Sequence, residues 1–374
     1  MRVKASPYCL FLLLHTAGAL LPGPASKIAV TGATGKLGRE AVELLSSSGA
    51  ALRILARREV DPTVEPSIAP DATAAEVLAY FAKAPNVELV RGDVTDEKSV
   101  TRLLAGTDAC LALHGATRRL KLRDFLPWCN PSRNDPAHAR QVNYEGVRNL
   151  ILAAKLSNTC KRIIRITGKG ETPWSIFSIL INGLGSMAKA WNYAGETLLR
   201  DTNVMGNDSL TYTIIRPGVM QSRDGASAGA EKRLLALADD GGDLTVSSVA
   251  YEDVARLCVE AVCDPNAASA TLTAMTCDCS DSGPVDSKTG ARRITGARAV
   301  EGASWETLLA EVKPDARPFP ERDIMVAEHH KAVRIGGIAI AGLLVAVTTA
   351  AATVATKGAA TLIAVIRLAL RSKL

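Results

Sequence analysis

The feature that most constrains the fold is a glycine-rich turn near the start of the chain. Residues 28–30 are a short apolar run that suits a buried parallel strand, and residues 41–45 carry apolar side chains at helical spacing. Between them, residues 31–38 read Thr-Gly-Ala-Thr-Gly-Lys-Leu-Gly. A glycine-rich turn between a strand and a helix is typical of dinucleotide-binding sites, so the sequence predicts such a site here.

Each glycine of this turn has a separate physical task. Gly32 permits a tight bend, Gly35 lets the backbone approach the pyrophosphate, and Gly38 lets the helix pack against the strand. The N-terminus of the helix then offers free N–H groups and a partial positive charge to the phosphates. The residues predicted to bind the phosphates are Gly32, Ala33, Thr34, Gly35, Lys36, Leu37 and Gly38.

Two arginines follow the second predicted strand, residues 52–56. A site that prefers NAD usually carries an acidic side chain here, which bonds the ribose 2′-hydroxyl, whereas an arginine accommodates the 2′-phosphate of NADP. Arg57 is the first candidate for this contact and Arg58 the second; the alternative is that one or both only face solvent. The sequence therefore predicts NADP(H) as the cofactor and favours NAD less.

Further apolar runs extend a plan in which strands alternate with helices. They lie at residues 87–90, 108–113, 162–166 and 212–218. This alternation predicts an α/β fold, a doubly wound parallel-sheet Rossmann domain with ligands at the carboxyl ends of the strands. The residues after the third and fourth strands are therefore predicted to contact the cofactor: Asp93, Val94, His114 and Gly115.

Composition argues against two other functional classes. The aromatic fraction is 4% and the formal net charge is +6, so neither base-stacking platforms nor a strongly basic face is indicated. The densest basic cluster, residues 118–123, is predicted to be a solvated loop. Eight cysteines lack the regular spacing of a disulfide scaffold, and Cys277 and Cys279 have no further ligands nearby for zinc. We expect no nucleic-acid partner and no metal.

The two ends of the chain carry targeting patterns. Residues 1–25 combine a basic start, an apolar stretch and an Ala-Gly-Ala site, which predicts a signal or targeting segment; a frayed apolar tail is the alternative. The last three residues, Ser372, Lys373 and Leu374, match the peroxisomal import signal, but that signal conflicts with a secretory route. We expect membrane association reached by a secretory or plastid route, with the peroxisome as the alternative.

A hydrophobic segment lies near the C-terminus. Residues 335–356 are 22 positions without a charge, which as a helix would span about 33 Å and cross a bilayer. The alternative is a helix that lies on a bilayer surface or a partner. The predicted organisation is therefore a targeting segment (1–25), a dinucleotide-binding domain (26–278), a linker with a short helix (279–334) and a membrane-associated segment with a hydrophobic helix (335–374). Within the linker, Pro314, Pro318 and Pro320 predict a stiff spacer.

Several motifs occur in the order found in one known superfamily. They are residues 31–38, Arg57, residues 92–94, 142–146, 212–218 and 251–255. Together they resemble the atypical short-chain dehydrogenase/reductases, within the NAD(P)-binding group that includes NmrA-like proteins. The resemblance covers residues 26–275 and implies a Rossmann fold and a nicotinamide dinucleotide cofactor. It also implies that Asn143 lies near the nicotinamide end, although a role at a helix N-terminus is equally open.

The resemblance also identifies candidate catalytic residues. Active members of the superfamily use a tyrosine whose pKa is lowered by a lysine four residues later, and that tyrosine exchanges a proton while hydride moves. Here Tyr193 is followed at that spacing by Thr197, while Lys189 lies one turn before it. Thr167 stands where the partner serine falls. Because the tyrosine–lysine pair is not intact, the resemblance implies cofactor binding without implying turnover.

Two functions are consistent with these residues. One is an NADP(H)-dependent oxidoreductase that acts on a hydrophobic substrate at a membrane. The other is a membrane-tethered assembly or redox-sensing factor, which binds the cofactor and a protein partner without chemistry. The apolar stretch at residues 173–185 stands where the substrate lid of the superfamily begins. It is a candidate for a substrate pocket or a membrane contact, with an ordinary core helix as the alternative.

Overall fold

A computed structural model describes most of the chain between residues 22 and 342. The described residues are 22–23, 25–119, 121, 131–201, 210–222, 233–238, 248–278, 305–310, 312–316, 318–339 and 342. Most of the predicted signal segment (1–25), the predicted peroxisomal signal (372–374) and most of the predicted hydrophobic helix (335–356) lie outside the described residues. Within it, no helix has both the length and the hydropathy needed to cross a membrane.

Strands and helices alternate along the chain, as the sequence predicts. The first half contains β1 (Lys27–Thr31), α1 (Lys36–Ser47), β2 (Ala51–Ala56), α2 (Ala74–Phe81), β3 (Val87–Arg91), α3 (Glu97–Leu104), β4 (Ala109–Ala112), α4 (Pro131–Asn134), α5 (Gly146–Ser157) and β5 (Arg162–Ile166). The second half contains α6 (Ile176–Leu184), α7 (Ala188–Arg200), β6 (Thr211–Pro217), β7 (Val219–Gln221), β8 (Arg233–Ala238), β9 (Ser248–Ala250), α8 (Tyr251–Cys263), β10 (Ala270–Asp278) and α9 (Trp305–Leu309). A last helix, α10, covers residues 322–339.

The main sheet has the order β3-β2-β1-β4-β5-β6-β10-β8. All neighbours are parallel except β8, which runs antiparallel to β10 at one edge. In the centre, Val30 of β1 lies opposite Ile54 of β2 and Leu111 of β4. The strand order reverses between β1 and β4, and such a switch point is where doubly wound sheets bind ligands. The predicted parallel α/β Rossmann fold is confirmed.

The core has two layers because successive residues of a strand point to opposite faces of the sheet. Ile28 and Val30 pack on the side that α1 and α8 cover, while Ala29 packs on the side of α3 and α5. Both layers are fully buried around β1 and β4. Burial on both faces fixes the carboxyl ends of these strands, and with them the turns that follow.

The segment predicted as a spacer packs back onto the sheet. We call residues 312–316 and 318–339 the strap. Asp315 Oδ2 accepts hydrogen bonds from the Tyr212 hydroxyl at 2.9 Å and the Thr271 hydroxyl at 2.6 Å. Further along, Met325 and Ala332 are buried. The prediction of a spacer at the three prolines is wrong, because side-chain partners from β6 and β10 hold this segment against the domain.

One basic residue also differs from its prediction. Arg118 belongs to the cluster predicted as a solvated loop, yet its side chain is buried and pairs with Asp135 at 2.8 Å. Its guanidinium also donates to the Ser186 hydroxyl. Only part of the cluster is solvated, since Arg119 and Lys121 are exposed.

Candidate functional site

The glycine-rich turn joins β1 to α1 at the switch point of the sheet. Gly32 has a φ of +77°, and a Cβ there would stand 2.7 Å from the Leu113 carbonyl and the His114 nitrogen. A Cβ on Gly38 would collide with the Gly32 carbonyl oxygen. At Gly35 the nearest atom is 3.3 Å away. The turn can therefore adopt this shape only with glycine at its first and last positions.

The start of α1 is suited to a bound anion. Gly35 is the N-cap and supplies no side-chain hydrogen bond, and the first turn contains no acidic residue. The first N–H groups of a helix lack partners within the helix, and the helix dipole adds a partial positive charge. This bare helix start, behind a turn whose first and last glycines admit no Cβ, fits a diphosphate.

Two arginines lie beside this turn, at the end of the strand next to β1. Arg57 and Arg58 follow β2, and both are exposed. Within the described part of the chain, neither has a hydrogen bond or an ion pair. The next residue, Glu59, instead pairs with Arg91 of β3. The two guanidinium groups are therefore available to a phosphate that approaches the end of β2.

The turn after β3 is held by its own side chains. Asp93 Oδ1 accepts hydrogen bonds from the Thr95 nitrogen at 3.0 Å and the Thr95 hydroxyl at 2.9 Å. Val94 is buried, and its carbonyl oxygen accepts from Asn149 Nδ2 at 2.9 Å. Asp93 therefore shapes the turn through one carboxylate oxygen and remains partly exposed.

The turn after β4 brings one candidate to the surface and buries another. Gly115 is exposed, with open space where its Cβ would stand. The His114 side chain is buried instead, and its Nδ1 lies 2.7 Å from the Thr31 hydroxyl oxygen. Burial and the nearby Arg165 guanidinium hold the pKa of His114 well below its usual value. His114 is therefore a neutral packing residue beneath the glycine-rich turn.

Asn143 lies in a π-helical turn, Gln141–Glu145, directly before α5. Its side chain is buried, and its Oδ1 accepts from the Ala116 nitrogen at 2.9 Å. Its Nδ2 donates to the Ala188 carbonyl at 3.4 Å. Asn143 thus ties the turn after β4 to the first turn of α7, which sets the distance between the cofactor side and the tyrosine helix.

Tyr193 lies on α7 with its side chain buried. Its hydroxyl donates to the Pro320 carbonyl of the strap at 2.5 Å. Burial raises the pKa of Tyr193 to about 12. Arg200, seven residues further along the helix, stacks between the Tyr193 ring and the Phe319 ring of the strap. In this structure the tyrosine hydroxyl is therefore engaged by the strap.

Lys189 and Tyr193 do not share a hydrogen bond. The Lys189 ammonium donates to the Ser178 hydroxyl at 2.7 Å and lies 5.6 Å from the centre of the Phe177 ring, both on α6. Burial, followed by repulsion from Lys169 and Arg216, lowers the pKa of Lys189 to about 8. The reversed order of the two residues along α7 therefore directs the lysine towards α6.

Thr167 leads into a buried ionic network beneath α7. Its hydroxyl donates to the Glu196 carboxylate, which also accepts from Arg216 and, at 3.1 Å, from Arg200. Burial would raise the pKa of Glu196, but the charges of Arg216 and Arg200 outweigh it and leave the pKa below its usual value. The sequence pattern did not reveal this network, because Arg216 reads as part of an apolar strand.

Arg165 is a second buried arginine that the sequence analysis missed. It lies in β5 and donates to the backbone carbonyls of Ala112 at 3.0 Å and His114 at 2.6 Å. A third hydrogen bond, at 3.2 Å, reaches Asn192 of α7. Burial lowers its pKa to about 10. A lone charged residue within an apolar run was the one available signal for this contact between β4, β5 and α7.

The strap closes the side of the site where α7 lies. Beyond Pro320, Arg322 donates to the Tyr144 hydroxyl at 2.9 Å. His329 Nε2 lies 2.6 Å from the Gly170 carbonyl, and its Nδ1 lies 2.8 Å from Asn182 Nδ2. These contacts fasten α10 to α6 and to the loop after β5.

The three candidate catalytic side chains, Tyr193, Lys189 and Thr167, all have hydrogen-bond partners. The two arginines on the cofactor side, Arg57 and Arg58, have none within the described residues.

Comparison with known proteins bears directly on the turn between β1 and α1. A family model described as NAD(P)H-binding matches residues 32–265. The matched range begins at the first glycine of the turn and ends just after α8. No curated protein matches the chain at a significant level.

Several solved structures are similar in outline. The oxidoreductase ylbE from Lactococcus lactis is 18% identical, with a TM-score of 0.46, and the alignment covers 67% of this chain and 91% of that chain. A short-chain dehydrogenase/reductase from Veillonella parvula, solved with NADP, is 11% identical, with a TM-score of 0.46 and coverage of 67% and 94%. The reductase ChuY from Escherichia coli O157:H7 is 19% identical, with a TM-score of 0.43 and coverage of 67% and 97%. At these TM-scores the likenesses support no inference about substrate.

Proposed function

The chain belongs to the NAD(P)H-binding family, and we propose that it is an NADP(H)-dependent oxidoreductase that acts on a hydrophobic substrate at a membrane. The observation that carries the cofactor part is the turn between β1 and α1. Its outer glycines admit no Cβ, and its helix start has no side-chain cap. Family membership and this geometry agree with the predicted resemblance to NAD(P)-binding members of the atypical short-chain dehydrogenase/reductases.

The preference for NADP(H) rests on the two arginines after β2. Arg57 and Arg58 have no partner among the described residues, and no acidic residue precedes them in β2. A 2′-phosphate would gain charge-assisted hydrogen bonds from them, whereas a 2′-hydroxyl would gain little. The nicotinamide, at the opposite end of the cofactor, would lie towards Gly115 and α7.

When bound, the cofactor would supply or accept a hydride. The residues of the chain would bind the cofactor, orient the substrate and exchange a proton with it. Tyr193 is the proposed proton donor, and it can act only when its hydroxyl leaves the Pro320 carbonyl. The Thr167 hydroxyl donates its proton to Glu196, so it would accept a hydrogen bond from the substrate, or donate one to a substrate carbonyl only after it leaves Glu196. Lys189 would place a positive charge near α7, and its hydrogen bond to Ser178 would hold α6 in place.

Cofactor titration tests the proposal at its base. Purified protein is titrated with NADPH and with NADH by calorimetry, and the measurement is repeated with Arg57→Ala. We expect NADPH to bind more tightly than NADH, and the variant to lose that difference. Equal affinity for the two cofactors in the unmodified protein would contradict the assignment of the arginines.

Turnover is tested separately with a panel of quinones, carbonyl compounds and lipids. Oxidation of NADPH with at least one of them, and its loss in Tyr193→Phe, is the expected result. Turnover that survives unchanged in Tyr193→Phe would remove the tyrosine from the mechanism. An absence of turnover with every compound would favour the second candidate.

The second candidate is a membrane-tethered assembly or redox-sensing factor without chemistry. One observation favours it: the three candidate catalytic side chains are all hydrogen-bonded to other groups of this chain, namely Thr167 to Glu196, Lys189 to Ser178 and Tyr193 to Pro320. This function predicts NADPH binding, a stable protein partner on affinity purification and no turnover. Recovery of the protein alone, together with turnover, would overturn it.

A further inference from the structure

The exposed apolar side chains of the protein are concentrated on two neighbouring helices. Eleven large apolar residues are exposed in the described part of the chain. Eight of them lie on α6, two residues before it or on α10: Trp174, Ile176, Phe177, Leu180, Leu184, Ile324, Ile335 and Ile338. Scattered apolar residues are ordinary on a protein surface, but a concentrated patch marks a site of interaction.

Each helix has a packed face and an exposed face. On α6, Ile179 and Asn182 are buried, while Ile176, Leu180 and Leu184 follow a four-residue spacing on the opposite side. On α10, the buried positions 325, 329 and 332 form the packed face, and the exposed positions 324, 331, 335 and 338 form a second stripe. These spacings place each set on a single helical face. The apolar side chains are therefore left outside by the packing of α6 against α10.

Trp174 connects the two exposed faces. Its Nε1 donates to Glu328 Oε2 at 3.0 Å, and its ring lies 5.9 Å from the Lys331 ammonium. It is partly exposed, with its polar atom bonded and its ring accessible. A tryptophan with this arrangement is typical of the interface between water and lipid.

Charge and sequence continuity point to one kind of partner. The second half of α10 carries Lys331 and Arg334, both exposed, beside Ile335 and Ile338. The uncharged stretch 335–356 begins at this point and continues along the chain. A basic, apolar helix face that runs into an uncharged segment fits the surface of a bilayer with anionic headgroups.

We propose that the exposed faces of α6 and α10, together with Trp174, dock on a bilayer that contains anionic lipid. This deepens the membrane association in the proposed function and rests on it. It identifies the contacting surface, which includes the outer face of α10. Since α10 is part of the strap, the segment that closes the site would also be the segment that contacts the membrane.

The test measures the depth of Trp174 in vesicles. Full-length protein is mixed with vesicles of phosphatidylcholine alone or with added phosphatidylglycerol, with and without brominated acyl chains. The quenching that is lost in Trp174→Phe belongs to Trp174, since the chain has 4 tryptophans. We expect this quenching with the anionic vesicles, and at least about a tenfold lower vesicle affinity for Ile176→Glu with Ile338→Glu. Leu156→Glu, at an equally exposed apolar residue of α5, is the matched control and should change neither value.

The outcomes separate the docking surface from the rest of the proposed function. If the protein binds vesicles but the Trp174 fluorescence is not quenched, the proposed docking surface is wrong, whereas membrane association itself still holds. Light scattering that shows a dimer, which the double variant dissociates, assigns the faces to a second copy and also overturns the proposal. Turnover of NADPH in detergent is measured in parallel, so its absence counts against the oxidoreductase and not against the surface.

Discussion

The two sides of the candidate site differ in how their functional groups are engaged. On the side of β1 and β2, the turn is built from backbone atoms, and Arg57 and Arg58 have no partner among the described residues. On the side of α7, Tyr193 is bound to the strap and Thr167 to a buried carboxylate. The cofactor side is prepared for a ligand, whereas the tyrosine side is satisfied within the protein.

This difference has an energetic cause. A backbone turn and solvated arginines cost little without a ligand, because water satisfies them. Buried groups such as Glu196 and Arg216 must instead be paired inside the protein, since an unpaired buried charge costs several kcal/mol. The tyrosine side is therefore stable only with its partners in place, and its use in chemistry requires a contact to be exchanged. The following predictions test this contrast, from the largest expected effect to the smallest.

Glu196→Gln should have the largest effect, because Glu196 is fully buried and bonded to Arg200 and Arg216. Loss of its charge removes the carboxylate that pairs with Arg200 and leaves Arg216 with Glu171 alone, at 3.4 Å, so we expect the free energy of unfolding to fall by about 3–5 kcal/mol. Chemical denaturation measures this change. Glu59→Gln, which breaks the exposed pair with Arg91, is the control and should cost less than about 1 kcal/mol.

The same variant should alter the pH dependence of stability. The pKa of Glu196 is lowered in the folded protein from an ordinary value of 4.5. Its contribution is therefore complete above that value and is lost as the pH falls through the lowered pKa. The difference in stability between wild type and Glu196→Gln should shrink in acid, and a constant difference would mean that the carboxylate is not the charged partner assigned here.

Gly38→Ala should have the second largest effect, this time on the cofactor side. The added Cβ would collide with the Gly32 carbonyl, so the helix must move away from the turn. We expect NADPH affinity to fall about hundredfold and stability to fall by about 1–3 kcal/mol. Gly337→Ala, on α10, is the matched control, because its Cβ would meet no atom within 4 Å, and calorimetry should show nearly unchanged binding.

Asp315→Ala should loosen the strap. Asp315 accepts from the Tyr212 hydroxyl and from the backbone and side chain of Thr271, and we expect their loss to cost about 2 kcal/mol. Hydrogen exchange should become faster at residues 318–339. If the protein is an oxidoreductase, NADPH turnover should rise as Tyr193 is released. Lys313→Ala, at an exposed strap residue, is the control, and equal exchange in the two variants would argue against Asp315 as an anchor.

The sequence predicted the cofactor side because its determinants are local. Gly32 and Gly38 are six residues apart, and the strand and helix that flank them are visible as apolar patterns. The buried strands gave the α/β class for the same reason. The residues that shape the turn were therefore identifiable without knowledge of any distant contact.

The tyrosine side could not be predicted in this way. The partner of Tyr193 is Pro320, 127 residues away, in a segment whose prolines indicated a spacer. Arg165 and Arg216 each follow two isoleucines in β5 and β6, so the pattern marks a charge within an apolar strand but does not identify its partners on β4 and α7. Long-range packing decided the role of each of these residues, and local periodicity does not contain that information.

Arg57→Ala should have the smallest effect and the most selective one. Arg57 has no partner among the described residues, so its removal should leave stability within about 0.5 kcal/mol of wild type. Loss of one charge-assisted contact to a 2′-phosphate should weaken NADPH binding about tenfold and leave NADH binding unchanged. Calorimetric titration of both cofactors measures this difference. Arg58 also has no partner among the residues that the structure describes, so the double variant Arg57→Ala with Arg58→Ala should weaken NADPH binding further. If neither variant changes the NADPH affinity, the 2′-phosphate lies elsewhere and these two cations do not organise the cofactor side.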